Sequence, residues 1–155
     1  MPRTGKPARF IGRYYHALEQ KGRVSIPPSL RHPLGQTAIL TIGLDGCLFL
    51  FPESNWVSVV ESAAAMPLTH KPARDWVRLL ANNAVNVNFD HLGRILIPDY
   101  LRTHAKLSKN VVIVGSLTRI EIWDQTIYHH YLQSIASQAE TIAAAVTPSN
   151  LEATS

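Results

Sequence analysis

An α+β fold, built of two repeated β-hairpin halves each followed by a helix, is predicted by three features of the sequence. The first is an internal repeat: Glu19-Gln-Lys-Gly-Arg23-Val-Ser-Ile-Pro27 recurs as Asp90-His-Leu-Gly-Arg94-Ile-Leu-Ile-Pro98. Such self-similarity marks one supersecondary unit used twice. The second is alternation. Val24 and Ile26, like Ile95 and Ile97, alternate with Arg23 and Ser25 or Arg94 and Leu96, the period of two expected of strands with one buried face. The third is a set of apolar stripes at three- and four-residue spacing after each strand group, which is helical periodicity.

The match runs well beyond the motif. Leu30-Arg31 answers Leu101-Arg102, Gly43 answers Gly115, Leu48–Phe51 answers Ile120–Trp123, and Trp56 answers Tyr128. The chain is thereby divided into a basic N-terminal arm (1–9), a first repeat with its helix (10–65), a linking helix (66–82), a second repeat with its helix (83–135) and a C-terminal extension with a frayed tail (136–155).

Within each half, Gly22 and Gly93 stand where a tight turn needs positive φ, and an acid opens the turn so that its carboxylate can accept hydrogen bonds from turn amides. Asp90 suits that role, and Glu19 is one methylene longer. Pro27 and Pro98 end the strands, because proline has no ladder donor, and each leads into a short helix around Leu30 or Leu101. Pro33 is expected to cut the first of these short. Thr37–Gly43 and Cys47–Phe51 then read as a hairpin with Asp45-Gly46 as turn signal, repeated by Asn110–Gly115 and Arg119–Trp123 without it. Pro52 or Glu53 opens a helix with Trp56, Val59, Val60 and Ala63 on one face. Lys71 to Asn82, carrying Trp76, Val77, Leu79 and Leu80, reads as the linking helix. Asp124 is a suitable N-cap for a helix with the stripe Ile127, Tyr128, Tyr131, Leu132 and Ile135. This helix is expected to continue through Val146 and fray at Pro148.

Composition narrows the function. Apolar residues make up 46% of the 155 and charged residues 17%, a globular balance. No apolar run approaches the ~18 residues of a membrane span, and residues 1–9 lack an apolar signal region, so the expectation is a soluble cytoplasmic protein. A lone cysteine, Cys47, rules out an intrachain disulfide and a cysteine-rich zinc site. The net charge is +4, and its distribution is uneven: residues 1–31 hold Arg3, Lys6, Arg9, Arg13, Lys21, Arg23 and Arg31 against the single acid Glu19. Such asymmetry suggests an anionic partner. No nucleophile elbow, His-Glu-x-x-His, phosphate-cradling glycine loop or dinucleotide fingerprint is present. Asp90 and Glu19 each have an arginine four residues on, which favours the ionised form over proton transfer. No catalytic residue, metal site, cofactor or small-molecule substrate is therefore expected, and the competing class is a non-catalytic ring-forming assembly or partner-binding protein.

The residues that carry these features, Lys21-Gly-Arg-Val-Ser-Ile-Pro27, Gly43-Leu-Asp-Gly-Cys-Leu-Phe-Leu-Phe-Pro52, Ala73-Arg-Asp-Trp-Val-Arg-Leu-Leu80 and Gly93-Arg-Ile-Leu-Ile-Pro98, resemble the MraZ family of bacterial transcriptional regulators, whose two repeats belong to the AbrB-like, swapped-hairpin class. The resemblance covers roughly residues 10–135. It implies two pseudo-symmetric β-hairpin repeats forming a small β-barrel-like unit with flanking helices, double-stranded DNA as partner, ring-shaped homo-oligomers, a nucleoid-associated location, and recognition of short G-rich direct repeats upstream of the division and cell-wall gene cluster that includes the regulator's own gene. An acid four residues before an arginine is the family's signature; Asp90 and Arg94 fit it, and Glu19 and Arg23 fit it conservatively.

Two readings exist for each basic residue. Arg23 either pairs with Glu19 across the turn or contacts a base; the local charge excess and the resemblance favour the base. Arg94, with Asp90 four residues before it and little surrounding positive charge, is expected to be structural, together with Glu19, Gly22, Asp90 and Gly93 of the turns. Lys21 has no equivalent in the second half, where Leu92 stands, so the first half is expected to read DNA through Lys21 and Arg23, with Arg13 and Arg31 as further contacts. For Arg31, as for its equivalent Arg102, phosphate contact and a pair across a subunit interface are equally open. Trp56, Trp76 and Trp123 are assigned to core packing.

Overall fold

The computed structural model describes residues 8–148; most of the basic arm and the tail beyond residue 148 lie outside the described residues. The first half contains β1 (Arg13–Ala17), β2 (Arg23–Ser25), α1 (Pro28–Leu34), β3 (Thr37–Ile42), β4 (Leu48–Pro52) and α2 (Glu53–Ala64). The linking helix α3 spans Lys71–Asn82. The second half repeats the series as β5 (Val85–Asn88), β6 (Arg94–Leu96), α4 (Asp99–His104), β7 (Asn110–Gly115), β8 (Ile120–Asp124) and α5 (Gln125–Ala136), followed by α6 (Ala139–Ala145).

The class is the predicted α+β, but the halves are interleaved. Six strands form one antiparallel sheet in the order β1-β7-β8-β4-β3-β5. The first strand of each half pairs with the other half: Arg13 to Ala17 run opposite Val114 to Asn110, and Thr37 to Leu40 opposite Asn88 to Val85. Between these crossings each half makes a tight turn, with φ +88° at Gly22 and +76° at Gly93. In each turn a glycine N–H donates to the acid's carbonyl, Gly22 to Glu19 at 2.9 Å and Gly93 to Asp90 at 3.0 Å. The strands that leave the turns, β2 and β6, pair with each other in a separate two-stranded ribbon.

The sheet stays open rather than closing into the expected barrel. Closure would require β1 to pair with β5, yet both are edge strands, and the chain beyond each turns away to build the ribbon. Val24 and Ile95, directly opposed in that ribbon, are fully buried in one cluster with Leu40, Leu48, Leu50, Ile113, Ile120 and Ile122. Each such side chain taken from water stabilises the fold by about 1.5–3 kcal/mol. The ribbon thus covers one sheet face as a barrel wall would.

The opposite face of the central strands is also buried, which is why Leu48–Phe51 is apolar without alternation. Phe51 meets Trp56 of α2, ring centroids 5.7 Å apart. The Thr41 hydroxyl donates to the Leu80 carbonyl at 2.8 Å, tying α3 to β3. Cys47 is wholly buried, its thiol donates to the Leu44 carbonyl at 3.2 Å, and burial pushes its ionisation well above the usual thiol range.

Two helical expectations are corrected. Pro33 does not shorten α1, which continues to Leu34 and ends at Gly35 with φ +79°. Proline in a last turn removes a single intrahelical bond, and Leu34 is buried. The C-terminal helix does not run unbroken to Val146: residues 137–138 form a turn, in which the Ser137 hydroxyl donates to the Ser134 carbonyl at 2.9 Å, and α6 ends at Ala145. Such back-bonding to a preceding carbonyl competes with helix continuation. The described residues from Gln125 onward belong to a compact unit of their own, and the stripe Ile127, Tyr128, Tyr131, Leu132 and Ile135 is half-buried.

Candidate nucleic-acid interface

Strand periodicity decides what the ribbon offers to solvent. With Val24 and Ile95 turned inward, Arg23, Ser25, Arg94 and Leu96 lie on the outward side, Arg23 opposite Leu96 and Ser25 opposite Arg94. At the turn tips Lys21 is exposed in the first half, and Leu92 occupies the equivalent place in the second.

The two turns are chemically unequal. Asp90 Oδ1 accepts the backbone N–H groups of Leu92 and Arg94, both at 2.9 Å, while Oδ2 accepts Arg94 Nε at 2.8 Å. The hydrogen bond from the Arg94 amide, with those from the Arg94 side chain and the Leu92 amide, lowers the Asp90 carboxyl to about 2. Glu19 makes no such turn cap. Its carboxylate crosses to the other half, where Arg94 Nη1 donates to it at 2.9 and 3.2 Å. Arg94 is therefore held by two acids, Asp90 first and Glu19 second, which raise its affinity for the proton further.

Arg23 is left without the partner its position suggested. Among the described residues neither Arg23 nor Lys21 has a side-chain hydrogen bond or an ion pair. An exposed lysine and a half-exposed arginine separated by one glycine stand at the first turn, and at the second the equivalent places hold a leucine and a neutralised arginine.

Arg31 and Arg102 are placed reciprocally. Arg31 packs against Gly93 of the other half, where any Cβ would collide with its guanidinium, and Nη1 donates weakly to the Ile26 carbonyl at 3.4 Å. Arg102 packs in the same way against Gly22 and pairs with Asp99. The glycines thus serve twice, supplying positive φ and leaving room for an arginine from the opposite repeat. A surface cavity of about 790 Å³ opens beside Arg31, His32, Asp90 and His91. Arg13 is exposed on edge strand β1, four strand steps or about 13 Å from Ala17 and the turn that follows. The structure brings together Lys21, Arg23, Glu19, Gly22, Asp90, Gly93 and Arg94; it sets Arg31 beside the second turn and Arg13 apart.

Two features escaped sequence reasoning. One is the Glu19–Arg94 pair, which no local spacing encodes. The other is Asn55, buried in α2, whose amide donates to the carbonyls of Ala8 at 3.1 Å and Thr118 at 2.8 Å. Its acceptors lie 47 and 63 positions away, so its sequence neighbourhood carries no signal.

The fold and its outward face define a two-repeat protein whose halves exchange strands and present a paired cationic turn on one side only. The family described as "MraZ protein, putative antitoxin-like" matches residues 10–79 and again 80–147. The chain belongs to this family. It is 45% identical over 134 residues to the transcriptional regulator MraZ of Carboxydothermus hydrogenoformans, covering 86% of this chain and 94% of that one. The transcriptional regulators MraZ of Caldanaerobacter subterraneus and Heliobacterium modesticaldum are 42% and 41% identical, with the same coverage.

Proposed function

We propose that the protein is a sequence-specific, DNA-binding transcriptional regulator that reads short G-rich direct repeats through Lys21 and Arg23, in the division and cell-wall gene cluster that includes its own gene. The observation that carries this reading is the inequality of the turns: Arg94 is held by Asp90 and Glu19, whereas Arg23 and Lys21 have no partner among the described residues. Arginine and lysine are the donors suited to guanine O6 and N7, and a two-stranded ribbon fits the major groove. Arg13 and Arg31 serve neighbouring phosphates, which position without specifying.

The regulator works as a ring-shaped homo-oligomer on the nucleoid in the cytoplasm, with no cofactor, metal or small-molecule substrate. Exposed Val57 and Val60 of α2 and Leu79 of α3 support assembly, since closed symmetry buries such apolar surface. No helix among the described residues is long and apolar enough to cross a membrane. Several first-half turns on one ring can engage one duplex, so consecutive boxes lie about 10 base pairs apart, one helical turn.

Footprinting on DNA upstream of the protein's own gene tests the reading. Protection of closely spaced repeats, weakening steeply with salt and lost when about five base pairs are inserted between boxes, is the expected result. A protein that forms rings yet leaves this DNA unprotected is an assembly or partner-binding protein instead.

A further inference from the structure

We propose that Leu96 reads a thymine methyl group in the major groove, beside the guanine contacted by Arg23. This rests on the reading that the ribbon is the DNA-binding face. Leu96 belongs to the second half, yet the exchange of strands sets it directly opposite Arg23. It is 50% exposed on the outward side, where the equivalent first-half residue is the polar Ser25. Directly opposed side chains in an antiparallel pair have Cβ atoms about 4.5–5.5 Å apart, and bases along one strand rise about 3.4 Å per step. The two side chains therefore reach the same or adjacent base pairs.

The pairing of a cation with an apolar group selects the partner. A protein surface covering Leu96 would also cover Arg23, whose guanidinium has no acid beside it because Glu19 is engaged by Arg94. Burying that charge without a counterion is costly. The major-groove floor offers both chemistries side by side: guanine O6 and N7 accept from arginine, and the thymine C5-methyl is the apolar group presented there. Arg94, opposite Ser25 and held by two carboxylates, flanks this pair without competing for a base.

The test uses the full chain and the DNA upstream of its own gene, amplified once with thymidine and once with deoxyuridine triphosphate, which lacks the C5-methyl. Wild type should bind the uracil duplex more weakly, by roughly fourfold for each methyl read, the transfer of one methylene-sized group out of water. Leu96→Ala should bind both duplexes alike at the wild-type uracil level, and Leu96→Val should keep part of the preference. Wild type indifferent to the methyls, or Leu96→Ala with an unchanged ratio, overturns the assignment. Loss of oligomeric mass by Leu96→Ala in light scattering, with the ratio intact, places Leu96 between subunits and also overturns it. Binding that still depends on Arg23 but ignores the methyls refutes only the role of Leu96. No preference for this fragment over a scrambled one refutes the DNA reading as well.

Discussion

Glu19 and Arg94 come from different halves of the repeat and meet across the ribbon, Oε2 to Nη1 2.9 Å. The symmetric counterpart, Asp90 with Arg23, does not form, because Asp90 is occupied by two backbone amides and Arg94 Nε. One arginine collects both carboxylates and the other keeps none. Arg23→Ala should accordingly reduce affinity for the upstream DNA by about tenfold or more, the worth of a bidentate base contact being ~1–3 kcal/mol, with the melting temperature unchanged. Arg94→Ala should do the reverse, lowering the melting temperature with a smaller effect on affinity. Anisotropy titrations and thermal melts of the two variants, at one salt concentration, check the pair.

The turn cap at Asp90 makes part of the stability pH-dependent. Its carboxyl ionises at about 2 in the folded chain against an ordinary value of 3.8. A depressed carboxyl binds fewer protons folded than unfolded, so its contribution is complete above about pH 4 and is lost as the pH falls toward 2. Asp90→Asn should be less stable than wild type at pH 7, and the gap should shrink between pH 4 and 2. Urea unfolding at several pH values and equal protein concentration measures the gap.

Gly93 and Gly46 both have positive φ, +76° and +96°, but only at Gly93 does an added methyl collide with anything, the Arg31 guanidinium. Gly46→Ala should cost about 1–2 kcal/mol, the ordinary penalty of left-handed backbone for an L-residue. Gly93→Ala should cost more, since Arg31 must also leave its place over the turn. Denaturant midpoints of the two variants decide the order.

Asn55→Ala removes one donor from two carbonyls, those of Ala8 and Thr118. Each of these hydrogen bonds contributes about 0.5–1.5 kcal/mol net, a large combined effect for a residue with no role at the ribbon. Urea unfolding should register the loss while DNA affinity, measured where the variant is folded, stays at the wild-type value.

Elements whose determinants lie within a few residues were legible in the sequence. The linking helix α3 over Lys71–Asn82 and the hairpin around Asp45-Gly46 stand where spacing and turn residues put them, because a helical face and a positive-φ turn are local properties. The inward Val24 and Ile95 were legible as well, since alternation states which side of a strand is buried. It does not state which strand lies alongside. The exchange of β1 and β5 between halves, the pairing of β2 with β6 and the open sheet follow from contacts between residues far apart in the chain. So does the competition of two acids for Arg94. The Asp90 and Glu19 motifs look alike in sequence, but one methylene and the neighbourhood of the opposite strand send their carboxylates to different donors. The repeat, its faces and its charge are properties of the linear chain, whereas the neutralisation of Arg94 rather than Arg23 depends on distances set by the strand exchange.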